Sequence, residues 1–205
     1  MLKSLFLTVA LTMAPMAAVA QTPGALPAVT ASDRILGQAN APVTVIEYAS
    51  LVCSHCGDWH RTVYPEFKRQ FIDTGRVRMV FRDLPTAPAP VAARAAGIAR
   101  CAAPNRFYEV IGTFFRGQEA LFAGGPVAPW FASGVAASGR TQAEIDACLA
   151  DPATLEGLRA SIAGATAAGV EGTPTFFVNG RRVTDSSLAG LTAAITPSPT
   201  PARRR

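Results

Sequence analysis

The chain has 205 residues, of which 49% are hydrophobic and 16% charged. That is enough apolar material for one folded domain, or one domain carrying a large insertion, and it excludes a wholly disordered chain. The net charge of +5 is modest and partly carried by the terminal run Arg203-Arg204-Arg205; with no basic stripe interleaved with aromatics, no nucleic-acid partner is expected.

Lys3 precedes an almost wholly apolar run from Leu5 to Val19, closed by the small residues Ala18-Val19-Ala20. This is the pattern of an export signal over residues 1–20, cut before Gln21. Pro15 and the alanines make the run a poor spanning helix, which needs about 20 strongly apolar residues. No later segment is apolar for long enough to cross a bilayer. An exported, periplasmic protein is expected.

Residues 21–42 read as a leader rich in Ala, Pro, Thr and Ser, followed by a short edge element after Asp33. Val43-Thr44-Val45-Ile46-Glu47-Tyr48-Ala49 is β-branched and nearly continuous in apolar character, which fits a central strand buried on both faces. A helix should begin at Cys53-Ser54-His55-Cys56. Cys56, Trp59, Val63, Phe67 and Phe71 then recur at three- and four-residue steps along one face, with a kink at Pro65 and a stop at Thr74-Gly75. Residues 76–83 alternate as a second strand, with Val77, Met79 and Phe81 on one side and Arg78 and Arg82 on the other. Pro85, Pro88 and Pro90 break the pattern.

Residues 89–168 turn alanine-rich and helical. Helices are expected over 91–102, over 104–116 and over 127–137, then from the capping box Thr141-Gln142-Ala143-Glu144, and finally from Asp151-Pro152. Strand character returns with Thr175-Phe176-Phe177-Val178. Asn179-Gly180 is a hairpin turn signal, because both residues tolerate positive φ, and Arg181-Arg182-Val183 should return antiparallel. A last helix over 187–195 and a Pro-rich tail over 196–205 complete the chain. The order is βαβ, a helical block, then ββα. The predicted divisions are 43–88 for the first half of an α/β unit, 89–168 for the helical block and 169–195 for the second half.

Four cysteines remain after the export signal: Cys53, Cys56, Cys101 and Cys148. A closed metal site needs four ligands. Cys53, Cys56 and His60 supply three at most, His55 lies between the thiols, and there is no second close cysteine pair, so no metal is expected. As a staple, a Cys53–Cys56 bridge would close a very short loop and stabilise little. Cys101 with Cys148 would close a long one, worth about 4 kcal/mol in the loop-entropy model. If one pair is structural, it should be the second. Redox work remains for the first. Cys53 at a helix N-terminus meets unpaired N–H groups and the helix dipole, both of which favour a thiolate, and His55 would add a positive neighbour if protonated. Cys53 is then the exposed, attacked sulfur, and Cys56, one turn in on the apolar face, the buried resolving thiol.

Cys53-Ser54-His55-Cys56, the preceding Glu47-Tyr48-Ala49-Ser50 and the distant Gly172-Thr173-Pro174-Thr175-Phe176-Phe177-Val178-Asn179-Gly180 together resemble the DsbA-type thiol:disulfide oxidoreductases, from about Val43 to Ile195. The resemblance implies an α/β fold, thioredoxin-like, with an all-helical domain inserted between its halves. It implies that Thr173-Pro174 is the loop whose cis proline lies against the disulfide, with the Thr173 backbone binding an extended substrate strand. It gives Glu47 the role of a buried acid moving a proton to or from Cys56, and His55 that of stabilising the thiolate. The plainer alternatives are a partly exposed strand glutamate and an ordinary strand-start proline. His60 has no counterpart and reads as a helix-surface residue. Ser54 departs from the proline of the best-known members, and so bears on redox tuning. Cys101 and Cys148 resemble a second disulfide of the helical domain; two free buried thiols are the alternative.

The function expected is the introduction of disulfides into other exported proteins by exchange through Cys53 and Cys56. No cofactor is expected, a quinone-linked membrane protein is the reoxidising partner implied by the resemblance, and the chain should be a monomer. The competing readings are a disulfide isomerase or reductase, and a periplasmic metal-binding or chaperone-like module.

Overall fold

The computed structural model describes residues 29, 30 and 32–196. The expected export signal, its cleavage site, most of the leader and all but the first residue of the tail lie outside these residues. The described elements are β1 (Ile35–Leu36), β2 (Val43–Ala49), α1 (Ser54–Thr62), α2 (Tyr64–Phe67), β3 (Val77–Asp83), α3 (Ala89–Arg100), α4 (Phe107–Phe122), α5 (Val127–Ala137), α6 (Gln142–Ala150), α7 (Pro152–Ala167), β4 (Thr175–Val178), β5 (Arg181–Val183) and α8 (Leu188–Ile195).

The five strands form one sheet in the order β1-β3-β2-β4-β5. The central pair β2 and β3 is parallel, with Glu47 opposite Phe81. β4 joins β2 antiparallel, placing Phe176 on the other side of Glu47, and β5 and β1 close the two edges antiparallel. Successive residues of a strand face opposite ways. Val45, Met79 and Phe176 pack with Trp59, Phe67, Phe71 and Leu191 on one face. Ile46, Tyr48, Val80 and Phe177 pack with Ala165 and Ala168 of the α7 end on the other. Glu47, two residues from Val45, therefore points to the side on which α1 lies.

Pro65 breaks its helix rather than bending it. Without an N–H it cannot bond the Arg61 carbonyl, and the chain passes from α1 to α2 through Val63. A π-helical turn follows over Lys68–Ile72, and Gly75, at φ +74°, ends the segment. α4 starts later and runs further than its expected span, from Phe107 to Phe122, because residues 104–106 form a turn before it. The alternation over 76–83 keeps its parity, but the arginine side does not face water. Val80 is fully buried there, and Arg82 is buried with its guanidinium on Asp33 (3.0 and 2.8 Å) and donating to the Tyr48 hydroxyl (3.0 Å).

The helices α3–α7 lie between β3 and β4 in the chain, so the fold is thioredoxin-like with an all-helical insertion. α3, α4 and α5 supply Ala95, Ile98, Phe107, Ile111, Phe114 and Trp130 to a core that also takes in Cys56 and Phe81. The insertion thus shares its core with the end of the sheet that carries the cysteine pair. Thr141 and Glu144 form the expected capping box of α6, and Asp151 caps α7.

Candidate active site

β2 delivers the chain to the site. After Ala49 it turns through Ser50, Leu51 and Val52, all buried, and the Cys53 N–H donates to the Ser50 carbonyl at 3.1 Å. The Ser50 hydroxyl accepts from the Thr86 N–H (3.2 Å), which ties the turn to the loop after β3. Cys53 has extended backbone (φ −89°, ψ 120°) and caps α1, while Ser54, the first helical residue, and His55 are exposed. Cys56 lies one turn in and is completely buried.

Cys53 and Cys56 are free thiols with opposite environments. A hydrogen bond from the Cys56 thiol is the largest influence on Cys53. With Thr173 and the backbone N–H groups of Cys56 and His55, it outweighs partial burial and brings the Cys53 pKa from 9.0 down to about 5. Cys53 is then almost wholly thiolate at neutral pH. Burial pushes the Cys56 thiol far the other way, and the interaction with Cys53 and the charge of Glu47 add to it. Of His55, it is the backbone N–H that reaches the Cys53 sulfur.

Thr173-Pro174 lies 120 residues away in sequence, yet the Cys53 Sγ is 3.3 Å from the Thr173 carbonyl oxygen. The Thr173–Pro174 peptide bond is cis. The Thr175 hydroxyl donates to the Gly172 carbonyl at 2.7 Å and holds the loop where β4 begins.

Glu47 is buried, not partly exposed, and its carboxylate accepts from His60 Nε2 at 3.1 and 3.0 Å. This corrects the expectation for His60. It is 9% exposed, one turn beyond Cys56 on the same helix face, with its ring stacked on Phe115 of α4 at 4.1 Å between centroids. The signal was present in the four-residue step from Cys56 to His60, which places both on one face. Gln118 of α4 was missed altogether. Its Nε2 donates to the carbonyls of Leu51 (2.7 Å) and Cys53 (3.2 Å), so the insertion holds the reactive loop directly. A β-carbon at Gly57 would collide with Gln118 Oε1, which explains a glycine inside α1. Nothing in the local sequence around Gln118 announces this contact; it follows from the packing of α4 on α1.

Cys101, at the end of α3, is joined to Cys148 of α6 by a disulfide, with Cα atoms 5.8 Å apart. The Thr154 hydroxyl donates to the Cys148 carbonyl (2.8 Å), tying the start of α7 to the same corner.

A family model described as thioredoxin matches residues 30–196. A Rickettsia bellii protein named "Putative protein-disulfide oxidoreductase" is 30% identical over 80% of this chain and 63% of its own length. The chain spans about three fifths of the length of the curated relatives it matches. Among solved structures, Wolbachia pipientis alpha-DsbA1 aligns with a TM-score of 0.69 at 24% identity, covering 83% of this chain and 91% of that one. Oxidised BdbD from Bacillus subtilis aligns with a TM-score of 0.70 at 19% identity, covering 85% and 96%. The chain belongs to the thioredoxin family, and its fold, a thioredoxin core interrupted by a helical insertion, is the one it shares with these solved structures.

Proposed function

We propose that this protein is an exported, periplasmic thiol:disulfide oxidoreductase that introduces disulfides into other exported proteins. The observation that carries the reading is the asymmetry of the pair: a half-exposed Cys53 with a pKa near 5 against a buried Cys56 held protonated. A depressed thiol pKa stabilises the reduced pair, which makes the disulfide form the stronger oxidant. Names of the relatives support the same chemistry.

In the oxidised protein, a substrate thiolate attacks Cys53 Sγ. A substrate–Cys53 disulfide forms, the Cys53–Cys56 bond breaks, and Cys56 leaves with the electron pair and takes up a proton. The second substrate thiolate then attacks the substrate sulfur and expels Cys53, a good leaving group because its thiolate is stable. Thr173 borders this sulfur, and with Pro174 it would hold an extended substrate segment. Glu47 serves the proton exchange of Cys56, His55 supports the thiolate, Ser54 tunes the potential, and Cys101–Cys148 staples the insertion. The protein acts as a monomer, and a quinone-linked membrane protein returns the pair to its disulfide form.

The test is trapping. Cys56→Ser, incubated with a reduced unfolded protein under mild oxidant, should accumulate a mixed disulfide at Cys53 that mass spectrometry locates. Absence of any adduct, with wild-type protein also failing to restore activity to the reduced client, would sink the reading.

A further inference from the structure

This inference rests on the reading above and concerns the proton that Cys56 needs. Cys56 must leave Cys53 as a thiolate inside a fully buried site, facing the carboxylate of Glu47. Burial and a like charge both oppose that thiolate, so departure must be coupled to the arrival of a proton. Bulk water does not reach the sulfur. Glu47 is as deeply buried, and both its carboxylate oxygens accept from the same ring nitrogen of His60, Nε2. His60 in turn is clamped between Phe115, stacked at 4.1 Å, and Trp59 and Tyr64, each at 5.0 Å. The imidazole is therefore fixed in place and in reach of one group that can share its proton. His60 on α1 is hydrogen-bonded to Glu47, and the titratable groups that feel its charge are Cys56 on α1, Tyr64 on α2 and Tyr108 on α4. Burial keeps both phenols protonated. From β3 and β4 the neighbours opposite Glu47 are the apolar Phe81 and Phe176.

We propose that Glu47 and His60 share one proton, and that His60 is a positioning residue which, through Glu47, keeps that proton available to the departing Cys56 sulfur. The step balances. As a substrate thiolate bonds to Cys53 Sγ, the Cys53–Cys56 bond breaks and its electron pair leaves on Cys56. The pair gives its proton to that sulfur, and what remains is a Glu47 carboxylate accepting from neutral His60 Nε2–H. The local charge is unchanged: a thiolate beside a neutral pair becomes a thiol beside a singly negative one. The site thus never holds two adjacent negative charges. On reoxidation the Cys56 thiol returns the proton as its sulfur attacks.

The experiment compares wild type with H60Q, E47Q and the double variant E47Q/H60Q. Each oxidised protein is mixed with a reduced dithiol peptide between pH 5 and 8.5, and reduction of the pair is followed by tryptophan fluorescence. Glutamine still donates to Glu47 but cannot share a proton with it. H60Q should be slower by about tenfold or more at neutral pH and should lose the alkaline-side limb of the wild-type profile, where the pair has given up its shared proton. The double variant should be no slower than E47Q, because both changes remove the same proton. An H60Q profile that superimposes on wild type, or a double variant slowed by the product of the single factors, overturns the proposal. A second measurement needs no variant: the His60 nitrogen resonances of 15N-histidine-labelled wild type should shift between oxidised and reduced protein, and unchanged resonances overturn it. An active wild type with an insensitive H60Q overturns the shared proton alone. A wild type that does not oxidise the peptide overturns the oxidoreductase reading with it.

Discussion

Cys101 and Cys148 stand 47 residues apart, and their bond ties the end of α3 to α6 beside a threonine that links in α7. Cys53 and Cys56 stand one helical turn apart at the mouth of α1, where backbone N–H groups, Thr173 and Gln118 converge on one sulfur or its backbone. The first pair constrains a long loop. The second constrains almost nothing and instead divides its two sulfurs between a site that favours charge and one that forbids it. Identical side chains therefore do opposite work, and what separates them is loop length and electrostatic setting rather than the chemistry of sulfur.

The sharpest way to break this comparison is to remove the attacked sulfur from one pair and both sulfurs from the other. Cys53→Ser should lower thiol–disulfide exchange by about 10³-fold or more, since it removes the attacked atom. The double change Cys101→Ala/Cys148→Ala should leave exchange within about twofold, yet lower unfolding free energy by about 2–5 kcal/mol in denaturant titrations. Exchange that survives the first change, or collapses with the second at temperatures where the protein is folded, would contradict the division of labour.

A smaller effect is expected where the insertion holds the reactive loop. Gln118→Leu takes the Gln118 donor from the buried Leu51 carbonyl and one of two donors from the Cys53 carbonyl, which keeps the Gly57 N–H, and should cost about 1–3 kcal/mol. Because one of those carbonyls belongs to Cys53, the thiolate titration followed near 240 nm should move as well. A shift in stability with an unmoved titration would limit Gln118 to packing. Gly57→Ala should mimic it through collision with Gln118.

The pH dependence of stability comes last. Cys53 in the folded, reduced protein has a pKa lowered from 9.0 to about 5. A depressed acid contributes its full stability above its unfolded pKa and loses it as pH falls through its folded pKa. Reduced wild type should therefore gain Tm relative to reduced Cys53→Ser as pH rises from about 5 to about 9. Above that, burial of Cys56 acts in the opposite sense, because the unfolded thiol ionises first. A difference in Tm that does not change with pH would remove the thiolate from the account.

Much of this was legible in the residues. The β-branched run of β2, the Asn179-Gly180 turn and the capping box at Thr141 each obey a local rule, and each is where it was expected. Cys53 at the helix cap and Cys56 one turn in were equally local. The step from Cys56 puts His60 on the buried face, but its partner, Glu47, lies on a strand 13 positions earlier, and neither sequence neighbourhood carries the other's signature. Arg82 likewise stands on the polar side of an alternating strand by sequence, and in the fold the Asp33 carboxylate and the Tyr48 hydroxyl cover it. Gln118 could not be read at all, since its value depends on how two helices meet. What escaped the sequence were the partners of buried polar groups, which the fold alone brings together.

The most direct measurement is the redox equilibrium of Cys53–Cys56 with glutathione buffers, in protein whose Cys101–Cys148 bond is intact. A pair with a stabilised Cys53 thiolate should have a potential above about −180 mV. A value near about −270 mV, the thioredoxin end of the scale, would contradict the oxidase account.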